Sequence, residues 1–272
     1  MTNDEWHLEI IRNDTKRGNF KSALFDFDGT LSLIREGWRD VMIPYFVDVL
    51  KQSPEAEDEN TLISLVKNFV DFHTGKQTIY QCICLDEEVV KRNGEHKDPL
   101  EYKKEYHRRL INKIENRLTG LKEGTIDKND MMVPGSLDFL KILKECDITL
   151  YLASGTDEYY VLKEAELLGL TEFFNGGIYG AIDEYKLFSK SMIIKRIIET
   201  NKLSGFELVG FGDGYVEIKD IKEVGGFAVG LATEEKEREG IDKWKRERLI
   251  RAGADIIIPD FREVKCIKDY LF

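Results

Sequence analysis

The residues best suited to chemistry begin at Asp26. A short apolar run, Ala23-Leu24-Phe25, ends abruptly in Asp26-Phe27-Asp28-Gly29-Thr30. Such a run closing in acids and a turn glycine predicts a strand that stops there. Two carboxylates two positions apart on an extended chain project from the same face and can reach one site. Gly29 lets the chain turn away immediately afterwards. Read alone, these residues also suit a hairpin or an Asx turn. Further along, Ser154 follows the run Leu150-Tyr151-Leu152-Ala153, and Asp213 follows Phe206 to Gly212. Strand ends are where open α/β sheets place their ligands. Carboxylates gathered there repel one another, and a divalent cation, which takes oxygen ligands, would offset that repulsion.

The elements that must position these residues show as changes of period. From about Glu36, Trp38, Val41, Met42, Tyr45, Phe46, Val49 and Leu50 fall on one helical face. Further helical stretches are expected at roughly 58–72, 77–92 and 99–117, with no convincing strand between them. Strand signals return at Ile148 to Ala153, ending at Ser154-Gly155-Thr156, and Glu158 to Leu168 then reads as a helix closed by Gly169. Ser189 has the look of an N-cap for a helix carrying Ile193, Ile194, Ile197 and Ile198. Strands are expected at 206–211, 226–231 and 254–258. Strand and helix alternating in this way predict an α/β fold with a doubly wound parallel sheet. The expected plan is discontinuous: 20–32 and 123–272 form the core domain, 33–122 a helical insert, and 1–19 an extension. That extension has only Trp6, Leu8, Ile10 and Ile11 to bury, and the sequence gives it no place.

Composition narrows the function. The chain has 272 residues, 42% hydrophobic and 33% charged, the profile of a globular protein with one or two domains. Its 51 Asp and Glu against 40 Lys and Arg leave a net charge of −11, which disfavours a nucleic-acid partner while allowing a small anionic substrate at a locally positive site. Four cysteines make no disulfide framework, and Cys82-Ile83-Cys84 lacks the spacing of a zinc motif, so a reducing cytoplasm is expected. Neither a signal peptide nor a run long enough to span a bilayer is visible, so no membrane partner is expected. Gly210-x-Gly212-x-Gly214 has the wrong spacing for a dinucleotide loop, and no P-loop occurs. A serine hydrolase is disfavoured because Ser154 lacks a nucleophile elbow, and His96 and His107 read as surface residues. The charge run Glu234-Glu235-Lys236-Glu237-Arg238-Glu239 reads as a solvated loop.

Taken in order, these signals resemble the four motifs of the haloacid dehalogenase superfamily. Asp26-x-Asp28-Gly29-Thr30-Leu31 is similar to motif I, Ser154 to motif II, Lys190 to motif III and Asp213 to motif IV, and the likeness runs from about residue 20 onward. The resemblance implies a Rossmann-like three-layer core with a four-helix C1 cap that closes over the cleft and excludes water. It also implies a Mg²⁺-dependent phosphomonoesterase. Asp26 would be the nucleophile and Asp28 the acid and base. Ser154, Gly155 and Lys190 would bind the phosphoryl group, and Asp26, Asp28 through its carbonyl, Asp213 and Glu217 would hold the metal.

Two positions leave alternatives. Lys186 competes with Lys190 for motif III. The usual second acid of motif IV is an Asp, and here Glu217 stands in that place, with Asp220 as the other choice. Either acid also suits the first turn of a helix, whose dipole favours negative charge. Substrate choice is expected from the cap loop carrying Gly75, Lys76, Gln77 and Thr78, where Lys76 could meet an anion and its neighbours a sugar hydroxyl. The same residues would equally make an ordinary turn between helices. The expected substrate is a small phosphorylated metabolite, such as a sugar phosphate or a phosphoglycolate-like acid. A sugar-phosphate mutase is the enzymatic alternative, and a non-catalytic scaffold of the same fold is the other.

Overall fold

The computed structural model describes residues 8–272. Trp6, expected to need burial, lies outside them. Contacts divide the chain into two compact units, one built from residues up to Glu36 together with Arg117–Phe272, the other from Gly37–Asn116. The division falls a few residues inside the expected limits, and Arg117 shows why. Its guanidinium donates to the carbonyls of Ile34 at 2.8 Å and Glu36 at 2.9 Å, tying the end of a long helix to the outgoing chain.

The first unit is a seven-stranded sheet in the order β1-β7-β6-β5-β2-β3-β4. Its strands are β1 (Glu9–Ile10), β2 (Ser22–Phe25), β3 (Thr149–Asp157), β4 (Gly177–Ala181), β5 (Leu208–Gly212), β6 (Phe227–Leu231) and β7 (Ile256–Ile258). All pairs are parallel except β1 with β7. The connecting helices are α5 (Ser136–Glu145), α6 (Glu158–Leu167), α7 (Lys190–Asn201), α8 (Tyr215–Glu223), α9 (Lys243–Ala252) and α10 (Val264–Leu271). Parallel neighbours need such crossovers, and helices on both faces bury β2, β5, β6 and β7 completely. Successive residues of β2 point to opposite faces and show this directly. Leu24 packs with Ile194 of α7, Ile218 and Ile221 of α8 and Leu249 of α9. Phe25 stacks on Phe211 at 4.5 Å and meets Phe139 of α5 edge-on at 6.5 Å.

The extension now has a place. Glu9 and Ile10 pair with Ile257 and Ile256, so the segment adds an antiparallel edge strand. Arg246 holds Glu9 from α9, and Thr15 donates to Asp255 at 2.6 Å. Ile11 packs against the buried cluster that contains Leu24 and Ile257, whereas Ile10 stays 45% exposed. This strand is the one antiparallel edge of an otherwise parallel sheet among the described residues, and its residues belong to the core sheet.

The second unit holds α1 (Arg39–Leu50), α2 (Glu59–His73), α3 (Thr78–Lys91) and most of α4 (Pro99–Glu123). Asp58 caps α2 by accepting from Asn60 and Thr61 amides. Phe46 stacks on Phe69, and Met42, Leu50, Leu62, Val66 and Leu85 are fully buried as well. His107 on α4, expected on the surface, is also buried. The apolar stripe of α4, with Tyr106 and Leu110 buried, carries His107 inward between them. Among the described residues no helix is long and apolar enough to cross a membrane.

Candidate active site

Sheet register brings the motif residues together. Phe25 is opposite Phe211 on one side and Leu152 on the other, so the residues that follow each strand meet at one edge. The amide of Asp26 donates to the Phe211 carbonyl at 2.9 Å, which fixes Asp26 beside the start of the β5–α8 turn. Phe27 then anchors a tight loop, its carbonyl accepting from the amides of Thr30, Leu31 and Ser32. Gly29 is required in that loop. Its φ is +76°, and a Cβ there would collide with Asp213 Oδ2 and press on Glu235 Oε1 at 3.0 Å.

Asp26 is 7% exposed and forms an ion pair with Lys190 Nζ at 2.7 Å. The same ammonium reaches Glu217 Oε2 at 3.2 Å. Lys190 is aimed by its position as the first residue of α7, where the Ser189 hydroxyl caps the helix through the Met192 amide. Burial alone would lower the lysine's pKa, but the carboxylates of Asp26 and Glu217 win and raise it, keeping the ammonium charged. For Asp26 burial wins: its carboxyl is pushed well above the usual range, helped by Glu217 and Asp213 and opposed by Lys190. Lys186, the competing lysine, lies exposed in a single turn at Tyr185–Leu187, its ammonium 5.9 Å from the Tyr185 ring.

Asp28 points elsewhere. Its Oδ2 accepts from Thr156 Oγ1 at 2.7 Å and Ser154 Oγ at 3.4 Å, while its Oδ1 is buried with no hydrogen bond and lies 3.9 Å from Arg35 Nε. Thr156 is a contact that the sequence did not predict. The signal for it was available, since residues two apart on a strand share a face and β3 carries Ser154 and Thr156 together. Ser154 was expected to end its strand, yet β3 runs on to Asp157 through an irregularity in its pairing with β4. The Ser154 hydroxyl accepts from the Thr156 amide at 3.0 Å, a local bond that holds this irregular stretch. Gly155 lies half-buried between them.

Arg35 was also unsuspected. It grips Glu164 of α6 through Nε and Nη2, the closest contact 2.7 Å, with both side chains almost wholly buried. Burial raises the Glu164 pKa, Arg35 opposes that, and the nearby charge of Asp28 adds to it.

At the other side of the site, Asp213 Oδ2 accepts from Lys245 Nζ at 2.8 Å, and Lys245 also donates to Glu235 Oε1 at 2.5 Å. The charge run was expected to be solvated, and Glu235 contradicts this for one of its members. Its side chain is 20% exposed and folds in toward Asp213, where Lys245 supplies the counter-charge. Burial raises its pKa, and the charges of Asp213 and Asp28 raise it further against Lys245.

Asp26, Asp213 and Glu217 bring one carboxylate oxygen each within 4.8 Å of one another. An all-oxygen, triply acidic donor set suits a hard divalent cation. The two buried ammoniums drawn to these same carboxylates show how strongly the cluster attracts positive charge. Glu217 also reaches back to accept from the Gly214 amide at the start of α8, so it caps the helix as well. Asp220 is outside this group; its carboxyl is half-buried and pushed up to about 6 by burial, with Glu223 and Glu217 adding to the effect.

In the second unit, Gly75 turns the chain at φ +93° between α2 and α3. Lys76 Nζ sits 4.7 Å over the Phe72 ring and 3.4 Å from His73 Nδ1. Gln77 is 4% exposed, and Thr78 opens α3.

A comparison with curated proteins finds no match. The fold is shared with several solved structures. A predicted phosphoglycolate phosphatase from Haemophilus somnus 129pt is 17% identical with a TM-score of 0.61, covering 92% of this chain and 99% of its own. A predicted phosphatase from Clostridium acetobutylicum is 18% identical with a TM-score of 0.61, at 93% and 100% coverage. β-Phosphoglucomutase from Clostridium difficile is 15% identical with a TM-score of 0.59, at 92% and 96% coverage. A family model for haloacid dehalogenase-like hydrolases matches residues 20–225, a span that takes in motif-like residues from Asp26 to Glu217. The chain therefore belongs to the haloacid dehalogenase-like hydrolase family.

Proposed function

We propose that the protein is a Mg²⁺-dependent phosphomonoesterase acting on a small phosphorylated metabolite through an aspartyl-phosphate at Asp26. The observation that carries this reading is the division of labour between the two motif I acids. Asp26 is buried against Lys190, while Asp28 is turned to the hydroxyls of Thr156 and Ser154. A carboxylate approaches a phosphate dianion only when that charge is offset, and Lys190 is the fixed cation that offsets it. An Asp26 oxygen attacks phosphorus, the bond to the leaving oxygen breaks, and Asp28 gives that oxygen its proton. Asp28 then takes a proton from water as the water attacks the aspartyl-phosphate, and phosphate leaves with Asp26 restored. Asp26, Asp213, Glu217 and the Asp28 carbonyl are the groups we assign to Mg²⁺, which supplies charge neutralisation at the phosphoryl oxygens. Ser154 and the Gly155 amide are our candidates for the phosphoryl oxygens, and Gly75, Lys76, Gln77 and Thr78 for substrate selection.

The test is phosphate release from a broad panel of phosphorylated metabolites, with and without Mg²⁺. Release that needs Mg²⁺ is the expected result. A protein that converts a sugar 1-phosphate to its isomer without freeing phosphate would be a mutase, and one inert on the whole panel would overturn the enzymatic reading.

A further inference from the structure

We propose that Glu235 and Lys245 are a positioning pair that sets how tightly Asp213 takes up a divalent cation: Lys245 shields Asp213, and Glu235 gives that shield somewhere else to go. The inference deepens the reading of the site given above and rests on it.

The geometry is that of one ammonium shared by two carboxylates. Lys245 Nζ lies 2.8 Å from Asp213 Oδ2 and 2.5 Å from Glu235 Oε1. Its backbone is fixed, because Asp242 caps α9 by accepting from the Lys245 amide at 3.0 Å. Its side chain is only 9% exposed, so water competes little for it. Glu235 is held with comparable care. The segment between β6 and α9 closes on itself through the Asp242 amide on the Ala232 carbonyl at 2.9 Å and the Arg238 amide on the Glu234 carbonyl at 2.9 Å. Arg238 Nη2 pins the same segment to the Asn129 carbonyl at 2.8 Å. Asp213 and Glu235 both converge on Gly29 of the motif I loop, where a Cβ would meet oxygens of each. A solvated loop has no reason to present an acid there.

The consequence follows from charge. A cation arriving at Asp213 must contend with an ammonium already on that carboxylate. With Glu235 present, Lys245 keeps one strong partner and can yield the other. Without Glu235, the ammonium belongs to Asp213 alone and competes harder. Without Lys245, two carboxylates stand bare beside the site and attract the cation more strongly. The two substitutions should therefore act in opposite directions, which a merely structural brace would not do. Groups that hold a ligand's orientation from behind commonly tune metal affinity by tenfold or more.

The experiment is metal binding by the full chain without substrate, Mg²⁺ by calorimetry and Mn²⁺ by electron paramagnetic resonance. Glu235→Gln is expected to raise Kd about tenfold, and Lys245→Met to lower it about tenfold. The double variant should fall near the parent. Circular dichroism confirms that each variant is folded. Should Lys245→Met fail to fold, Glu235→Gln decides alone, and an unchanged or tighter Kd overturns the proposal. Both variants shifting Kd in the same direction, or neither shifting it, also overturns it while leaving the cation site intact. A parent protein that binds neither ion overturns the site reading itself, and this inference with it.

Discussion

Two regions of this molecule pair an acid with a base at the same distance and in different surroundings. In the helical unit, Glu105 accepts from Arg108 and Arg109 at 2.7 Å each, with Arg108 61% exposed. At the sheet edge, Lys190 meets Asp26 at the same 2.7 Å, with the side chains 4% and 8% exposed. The distance is identical and the surroundings are not. An exposed pair only exchanges hydration for a screened attraction. A buried pair has lost its hydration, and removal of one partner strands the other in a medium that cannot solvate it. Buried charge is therefore kept where something else uses it, and at this edge three carboxylates lie within 4.8 Å of one another. Burial separates the proposed site charge from surface charge here; the pairing distance does not.

The sharpest way to break this contrast is Asp26→Asn. It removes the proposed nucleophile while keeping size and most hydrogen bonding, so turnover should fall by about four orders of magnitude or more. The circular dichroism spectrum should not change. Phosphatase activity near that of the parent would mean that the buried Asp26 and Lys190 pair is structural only. Next in size is Glu164→Gln. It leaves Arg35 buried against a neutral amide, and denaturant unfolding should show a loss of about 3 kcal/mol. A loss under about 1 kcal/mol would place this pair with the exposed class. Thr156→Val is smaller and touches chemistry alone. It deletes the 2.7 Å bond that aims Asp28, so kcat should drop about tenfold with KM little changed. A rise in KM alone would assign Thr156 to substrate binding instead.

Legibility in the sequence followed the same division between local and non-local causes. Asp26 and Asp28 could be read because a strand, two acids and a glycine are a local pattern. Lys190 could be read because Ser189 announces a helix start. β1 could not, since two residues pairing with β7 from the opposite end of the chain leave no periodic trace. Glu235 is one acid in a run of charges, and only the fold decides which member turns inward. Lys245 sits in a helix rich in charge, Lys243-Trp244-Lys245-Arg246-Glu247-Arg248, where no pattern marks one lysine as buried. Arg35 and Glu164 lie far apart in sequence, each unremarkable alone. Thr156 was within reach through strand alternation, hidden because the strand was expected to stop at Ser154.

The smallest expected effect lies at the exposed end of the contrast. Hydrogen bonds from Arg108 and Arg109 hold the Glu105 carboxyl down at about 2, against an ordinary 4.5. A carboxyl whose folded value is depressed stabilises the fold above its unfolded value, and that contribution disappears as pH falls through the folded value. The Glu105 contribution is thus fully present above about pH 4.5 and lost on approach to pH 2. The side chain is 32% exposed, however, and its partners more so, so water and salt screen most of it. Glu105→Gln should therefore cost under about 0.5 kcal/mol at pH 7, less in high salt, with no change in turnover. A cost comparable to that of Glu164→Gln would show that geometry alone, without burial, makes these pairs strong, and would remove the basis for separating the two regions.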